Sequence, residues 1–296
     1  MFDHFAQLKA LQTTKSFFIG IDSDGCAFDT MEIKHKECFI PNIINSWDLQ
    51  AVSRFAREAA EFVNLYSQWR GINRFPALVM VFDLLAQRPE VLERGHRPIE
   101  APALRRWIKE ETRLGNPTLA AKVKDTQDPV LARALAWSES VNESVEKMVH
   151  GVPPFPHVRQ SLAKLHDVAD MVVVSATPGE ALQREWQEHD IARHVRLICG
   201  QEMGSKTEHL KYGAGGKYPP ANILMIGDAP GDMKSAKANN ALFYPINPGD
   251  EAASWRRFYE EAADRFLQGS YAGGYEQGLI DDFMTYLPSV PPWKRN

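Results

Sequence analysis

Two short stretches carry paired carboxylates immediately after apolar runs. Asp22-Ser23-Asp24-Gly25 follows Phe17 to Ile21, and Gly227-Asp228-Ala229-Pro230-Gly231-Asp232 follows Asn222 to Ile226. Acids this close repel one another unless a proton or a cation relieves them, and all-oxygen donor sets suit hard divalent cations. Two further groups lie between these stretches. Ser175 ends the apolar run Met171 to Val174 and precedes a predicted helix, a place suited to an anion. Lys206 falls in the first turn of a helix opened by Gly204-Ser205, where an ammonium opposes the helix dipole unless a negative group faces it. Taken singly these are ordinary features: a turn, a strand-end cap, a solvated lysine. Their order along the chain, each at the end of a strand or the start of a helix, gives them weight.

The elements that must position them follow from the apolar pattern. Short runs rich in branched and aromatic residues, bounded by Gly or polar residues, read as buried strands of a parallel sheet. Strands are predicted at Phe18 to Asp22, Met171 to Val174, Val195 to Ile198, Asn222 to Ile226 and Ala241 to Tyr244, alternating with helices after residue 151. In open α/β sheets the carboxyl ends of the strands form the ligand crevice, so Asp22, Asp24, Ser175, Asp228 and Asp232 would share one edge. The fold class is thus α/β, a Rossmann-like parallel sheet flanked by helices.

Residues 31–150 have a different character. Apolar residues recur at three and four from Leu49 through Tyr66, and further helices are predicted at Phe75 to Ala86, Pro102 to Arg113, Pro117 to Lys124 and Pro129 to Val149. Residues 87–98 read as a loop. The chain is therefore divided into a core made of 1–30 and 151–296 and an inserted all-helical domain, 31–150. So long a connection after one strand is itself a functional signal.

Composition narrows the class. The chain has 296 residues, 44% hydrophobic, with a net charge of −4 and no long run of one sign, which offers no footprint for nucleic acid or an anionic membrane. No apolar stretch approaches membrane-spanning length. Three cysteines, Cys26, Cys38 and Cys199, lack disulfide or zinc spacing and fit reduced thiols in a cytoplasm.

In this order the motifs resemble the haloacid dehalogenase (HAD) superfamily, whose members carry four motifs on a Rossmann-like core. D-x-D-G matches Asp22 to Gly25; the strand ending in Ser or Thr matches Ser175, with Thr177 the alternative; the helix-opening lysine matches Lys206 rather than Lys217; G-D-x-x-x-D matches Gly227 to Asp232. The resemblance covers residues 16–30 and about 152–245. One departure is Cys26, where many relatives have Thr; it is read as a packing residue. The resemblance implies that Asp22 is a nucleophile forming an aspartyl-phosphate and that Asp24 is an acid and then a base. It implies that Ser175 and Lys206 hold phosphoryl oxygens, and that Mg2+ is bound by Asp22, the Asp24 backbone carbonyl, Asp228 and Asp232, the last directly or through water. An acid at Asp24 favours phosphate esters over carbon–halogen bonds. The insert matches the position of a helical cap, which implies a small phosphorylated metabolite as substrate, with Arg70, Arg74, Lys34 and His35 in reach of charged groups though more naturally solvated. A phosphosugar mutase and a catalytically silent ligand-binding relative remain as alternatives. Oligomeric state, substrate and the role of the tail 269–296 stay open.

Overall fold

The computed structural model describes residues 4–294. The chain forms two compact units: Met1–Met31 with Gly151–Leu287, and Glu32–His150 with Pro288–Asn296.

The first unit is built on five parallel strands, β1 Phe17–Ile21, β2 Ala169–Val174, β3 Leu197–Cys199, β4 Ile223–Gly227 and β5 Leu242–Pro245, in the spatial order β3-β2-β1-β4-β5. The alternation of side chains explains why the strands are apolar on both faces apart from Asp170. Ile19, Ile21, Met171, Val173, Leu224 and Ile226 point into one core, while Phe18, Val172, Val174, Ile223 and Met225 point into the other. Both faces are covered by helices, so neither set can be polar. The central strand is the first in sequence, and Ile21 lies opposite both Val173 and Ile226. The chain leaving β1 therefore emerges between the ends of β2 and β4. The expected strands are all present, shifted by one or two residues. β2 starts earlier than expected because Asp170, a polar residue, lies inside it.

Asp170 is a structural node, only 1% exposed. It accepts from the Thr14 N–H at 2.8 Å, the Thr14 hydroxyl at 2.6 Å, the Lys15 N–H at 3.0 Å and the Tyr218 hydroxyl at 2.7 Å, and it pairs with Arg196. Burial alone would raise its pKa; these donors outweigh burial and bring it from 3.8 to about 2. Because the folded value is depressed, this carboxylate's stabilisation is fully present above about pH 4 and fades as pH falls towards 2. Asp170→Asn is expected to cost about 2 kcal/mol at neutral pH. The difference in urea midpoint between wild type and variant should narrow on acidification to pH 3.

The second unit is helical. After Thr30–Ile33 the chain forms a π-helical stretch, Lys34–Phe39, continuous with Ile40–Ser46, followed by Ser53–Asn64, Arg74–Ala86, Pro89–Glu93, Pro102–Glu110, Asn116–Thr126 and Pro129–Met148. Prolines occupy the first or second position of four of these helices, Pro89, Pro102, Pro117 and Pro129, where the missing N–H has no partner to lose. Trp47, Phe55, Phe62, Phe75, Phe82, Trp107 and Trp137 fill its core. Two expectations differ. Residues 87–98, expected as a loop, contain the short helix Pro89–Glu93. The tail beyond residue 287, assigned from sequence to the core, is grouped with the helical unit: Trp293 packs edge-on against Phe62 at 5.8 Å, the Arg88 guanidinium stacks on it at 4.5 Å, and the Gln68 N–H donates to the Pro288 carbonyl at 3.4 Å.

Among the described residues no helix is long and apolar enough to cross a membrane.

Candidate active site

The loop leaving β1 is wound tightly. The carbonyl of Ser23 accepts from the N–H groups of Ala27 at 2.9 Å and Phe28 at 3.0 Å, and the Gly25 N–H donates to Phe28 at 2.8 Å. Gly25 sits at φ +75°, a region that a side chain would strain. The Ser23 hydroxyl donates to Glu185 at 3.0 Å and accepts from the indole of Trp186 at 2.9 Å, which ties the loop to the helix Gly179–Glu188. Cys26 is buried, and its carbonyl accepts from the Trp255 indole at 2.7 Å. Burial first, then the neighbouring aspartates, push its thiol well up, so it stays protonated and packs.

Asp22, Asp228 and Asp232 are all buried, and their carboxylate oxygens lie within 4.8 Å of one another. Asp22 is anchored by its own N–H, which donates to the Ile226 carbonyl at 3.0 Å, and one of its oxygens accepts from the Ser23 N–H at 2.8 Å. Asp232 is the third residue of the helix Pro230–Ala238; one of its oxygens accepts from the N–H groups of Asp228 at 3.2 Å and Ala229 at 3.1 Å. The carboxylate thus caps the helix and shapes the turn after β4.

Lys206 completes the cluster. Ser205 caps the helix Lys206–Gly213 in a capping box with Glu208. The Lys206 ammonium bonds Asp22 at 2.5 Å and Asp232 at 2.6 Å. Burial would lower its pKa, but Asp22, Asp232 and Asp228 together overcome this and keep it charged. The negative group that a first-turn lysine calls for is therefore supplied from two other elements. Three carboxylates still face one ammonium. Burial raises Asp22 well above the usual carboxylate range, with Lys206 opposing and Asp232 and Asp228 adding to the rise. A divalent cation would balance the remaining charge, and the all-carboxylate donor set fits a hard one such as magnesium.

The other two expected residues are Ser175 and Asp24. Ser175 follows β2, its N–H bonded to the Cys199 carbonyl at 3.0 Å; its hydroxyl accepts from the Thr177 N–H at 3.2 Å. Asp24 is outside the acidic cluster. Its carboxylate is held by the hydroxyls of Thr177, at 2.5 Å, and Thr30. Thr177 had been visible in the sequence only as an alternative to Ser175; in the structure the two have separate places. Thr30 carried no sequence signal, being a lone hydroxyl five residues past Gly25. Lys217 is elsewhere: its ammonium donates to the carbonyls of Leu8, Lys9 and Leu11, closing the end of the first helix, Ala6–Ala10.

In the helical unit, Arg70 is 2% exposed and donates to the Leu65 carbonyl at 2.8 Å. Arg74 is partly buried among Ser138, Asn142 and Phe39. The solvated positions expected for both are not what the fold provides.

Gly227 has no room for a side chain: a Cβ there would lie 2.4 Å from the Asp232 Cβ and 2.5 Å from its Cγ. Gly227→Ala should displace Asp232, and with it Lys206. A loss of roughly 1–3 kcal/mol is expected in urea unfolding.

Among curated proteins none matches the sequence. Solved structures with similar backbones include a HAD-superfamily hydrolase of subfamily IA from Geobacter sulfurreducens (15% identity, 79% of this chain and 90% of that one, TM-score 0.38). A haloacid dehalogenase-like family hydrolase from Streptococcus pneumoniae aligns at 13% identity (84% and 93%, TM-score 0.43), and one from Xanthomonas campestris at 12% (89% and 98%, TM-score 0.45). The family described as haloacid dehalogenase-like hydrolase matches residues 108–244. That stretch contains Ser175, Lys206, Asp228 and Asp232, and Asp22 to Gly25 lie before it. The matched residues supply the second, third and fourth motifs, and β1 delivers the first to the same carboxylate cluster, so over residues 108–244 the chain is similar to the haloacid dehalogenase-like hydrolases.

Proposed function

We propose that the protein is a magnesium-dependent phosphatase acting on a small phosphorylated metabolite through an aspartyl-phosphate. The observation that carries this reading is the buried cluster of Asp22, Asp228 and Asp232 around the Lys206 ammonium. A divalent cation would cancel the two net negative charges of this cluster, so that a phosphoryl dianion is no longer repelled and meets the cation and the Lys206 ammonium.

Asp22 is the nucleophile. Its Oδ1 is steadied by the Ser23 N–H and its Oδ2 by Lys206. The direct cation donors are Asp22, Asp228 and the Asp24 backbone carbonyl. Asp232, which accepts from Lys206 and from two backbone N–H groups, positions Lys206 and the loop and would reach the cation directly or through water. Magnesium, when bound, supplies neutralisation of charge on the phosphoryl oxygens. Lys206 and Ser175 hold those oxygens.

Asp24 protonates the leaving oxygen and then takes a proton from water. Thr30 and Thr177 suit this role, because a hydroxyl can donate to a carboxylate or accept from a carboxylic acid and so can hold Asp24 in one place through both halves of the cycle. The covalent step balances: the Asp22 oxygen forms a bond to phosphorus as the ester oxygen leaves with the Asp24 proton, and water then cleaves the acyl phosphate. The helical unit, residues 32–150, is read as a cap that selects the substrate.

The test is release of inorganic phosphate from a panel of phosphorylated metabolites and an aryl phosphate, with magnesium and with excess chelator. Magnesium-dependent release supports the proposal. An isomerised sugar phosphate without net release would assign a mutase, and no turnover of any ester would leave only ligand binding.

A further inference from the structure

Among the described residues, Arg74 is a half-buried cation of the helical unit with no carboxylate partner. Its Nη1 donates to three neutral acceptors: the Ser138 carbonyl at 3.1 Å, the Ser138 hydroxyl at 3.0 Å and the Asn142 side-chain oxygen at 2.8 Å. The guanidinium lies over the Phe39 ring, 4.9 Å from its centroid. Ser138 is completely buried, and its hydroxyl is fixed by donating to Asn116 at 2.6 Å. Among the described residues no carboxylate pairs with Arg74, and Nη1 makes all of its hydrogen bonds.

This differs from two other buried or half-buried arginines of the same unit. Arg88 lies over Phe55 and Trp293 but is bonded to Glu58 at 2.6 Å; Arg105 is paired with Asp83 at 2.6 Å. Those are structural ion pairs. At Arg74, burial is uncompensated and draws the group down to about 10. Holding a guanidinium by one terminal nitrogen and one ring face leaves the Nε and Nη2 edge as the donor pair, and that edge matches two oxygens of a carboxylate or phosphate in parallel.

We infer that Arg74, oriented by Ser138, Asn142 and Phe39, forms an oxyanion-binding site in the helical unit, taking a carboxylate or phosphate group in bidentate fashion. The three orienting residues come from two elements, the π-helical stretch Lys34–Phe39 and the helix Pro129–Met148, and Arg74 from a third, Arg74–Ala86. The fork is thus fixed by packing before any ligand arrives, so little side-chain entropy is lost on binding.

The test uses the full-length protein with chelator present, so that no metal draws anions to the aspartate cluster, and no turnover is needed. The Nε–Hε resonance of Arg74, assigned by its absence in Arg74→Lys, is followed on titration with sodium acetate, with inorganic phosphate and with sodium chloride at matched ionic strength. A saturable shift with acetate or phosphate, absent with chloride, is expected, and the stronger of the two names the group recognised. A second variant, Asn142→Asp, supplies the missing counter-charge at the Nη1 end; it should weaken the titration by about 10-fold or more while leaving the protein folded. No saturable shift with either oxyanion, the same shift with chloride, or unchanged binding in Asn142→Asp would each overturn the proposal. Because binding is read directly, the outcome does not depend on whether the protein is a phosphatase.

Discussion

Asp22→Asn is expected to abolish magnesium-dependent phosphate release, by about 1,000-fold or more, because the amide cannot attack phosphorus. The same change should make the metal-free protein more resistant to urea. Asp22 lies in a buried cluster that already carries two more negative than positive charges, and its pKa is raised well above the usual range. A carboxyl whose folded pKa is raised destabilises the fold once pH exceeds its ordinary value, so at pH 7 its replacement by a neutral isostere removes repulsion. The Ser23 N–H keeps an oxygen acceptor, and Lys206 keeps Asp232. Turnover and the urea midpoint, measured on one preparation, therefore move in opposite directions. A variant that loses activity by unfolding would move both down and would remove the support for Asp22 as nucleophile.

Lys206→Met should act in the other sense. It deletes the ammonium held 2.5 Å from Asp22 and 2.6 Å from Asp232, and three buried carboxylates are left without a cation. Removing one partner of a buried pair typically costs 3–5 kcal/mol, and about 3 kcal/mol is expected here without metal. Magnesium should recover much of that loss, since it replaces the missing positive charge, whereas activity should stay about 100-fold or more below wild type because one contact to the phosphoryl oxygens is gone. Urea unfolding with and without magnesium, beside a phosphate-release assay, separates the two roles. Equal loss of stability in both conditions would count against a metal bound by these aspartates.

The residues that a first reading of the chain can find are those whose position is announced by an apolar run. Asp22, Ser175 and Asp228 each follow a strand, and a parallel sheet brings such ends to one edge without any further information. Lys206 is announced by an unfavourable dipole and a Ser205 cap. Thr30 and Thr177 were less legible, because their value lies in the Asp24 oxygens they bond and not in any periodicity. Arg70 and Arg74 were expected at the surface, since cationic side chains are usually exposed; Arg74 is met by neutral acceptors from a distant helix, and Arg70 donates to the nearby Leu65 carbonyl. Asp170 hid the true start of β2 in the same way, as its burial rests on partners 150 residues away in sequence. What escapes a linear reading throughout is polar burial satisfied from afar, because hydrophobic pattern encodes which face is covered but not which donors arrive to meet a charge.

Trp293 gives the two units an unusual connectivity. The backbone passes from one unit to the other at Met31–Glu32, at His150–Gly151 and again at Leu287–Pro288. Neither unit is a single segment, and the helical one is closed by a piece more than 200 residues from the Phe62 it covers. Grafting residues 32–150 onto another scaffold would consequently bare that aromatic face and remove the ring on which the Arg88 guanidinium rests. The transferable module is the insert together with its terminal strap.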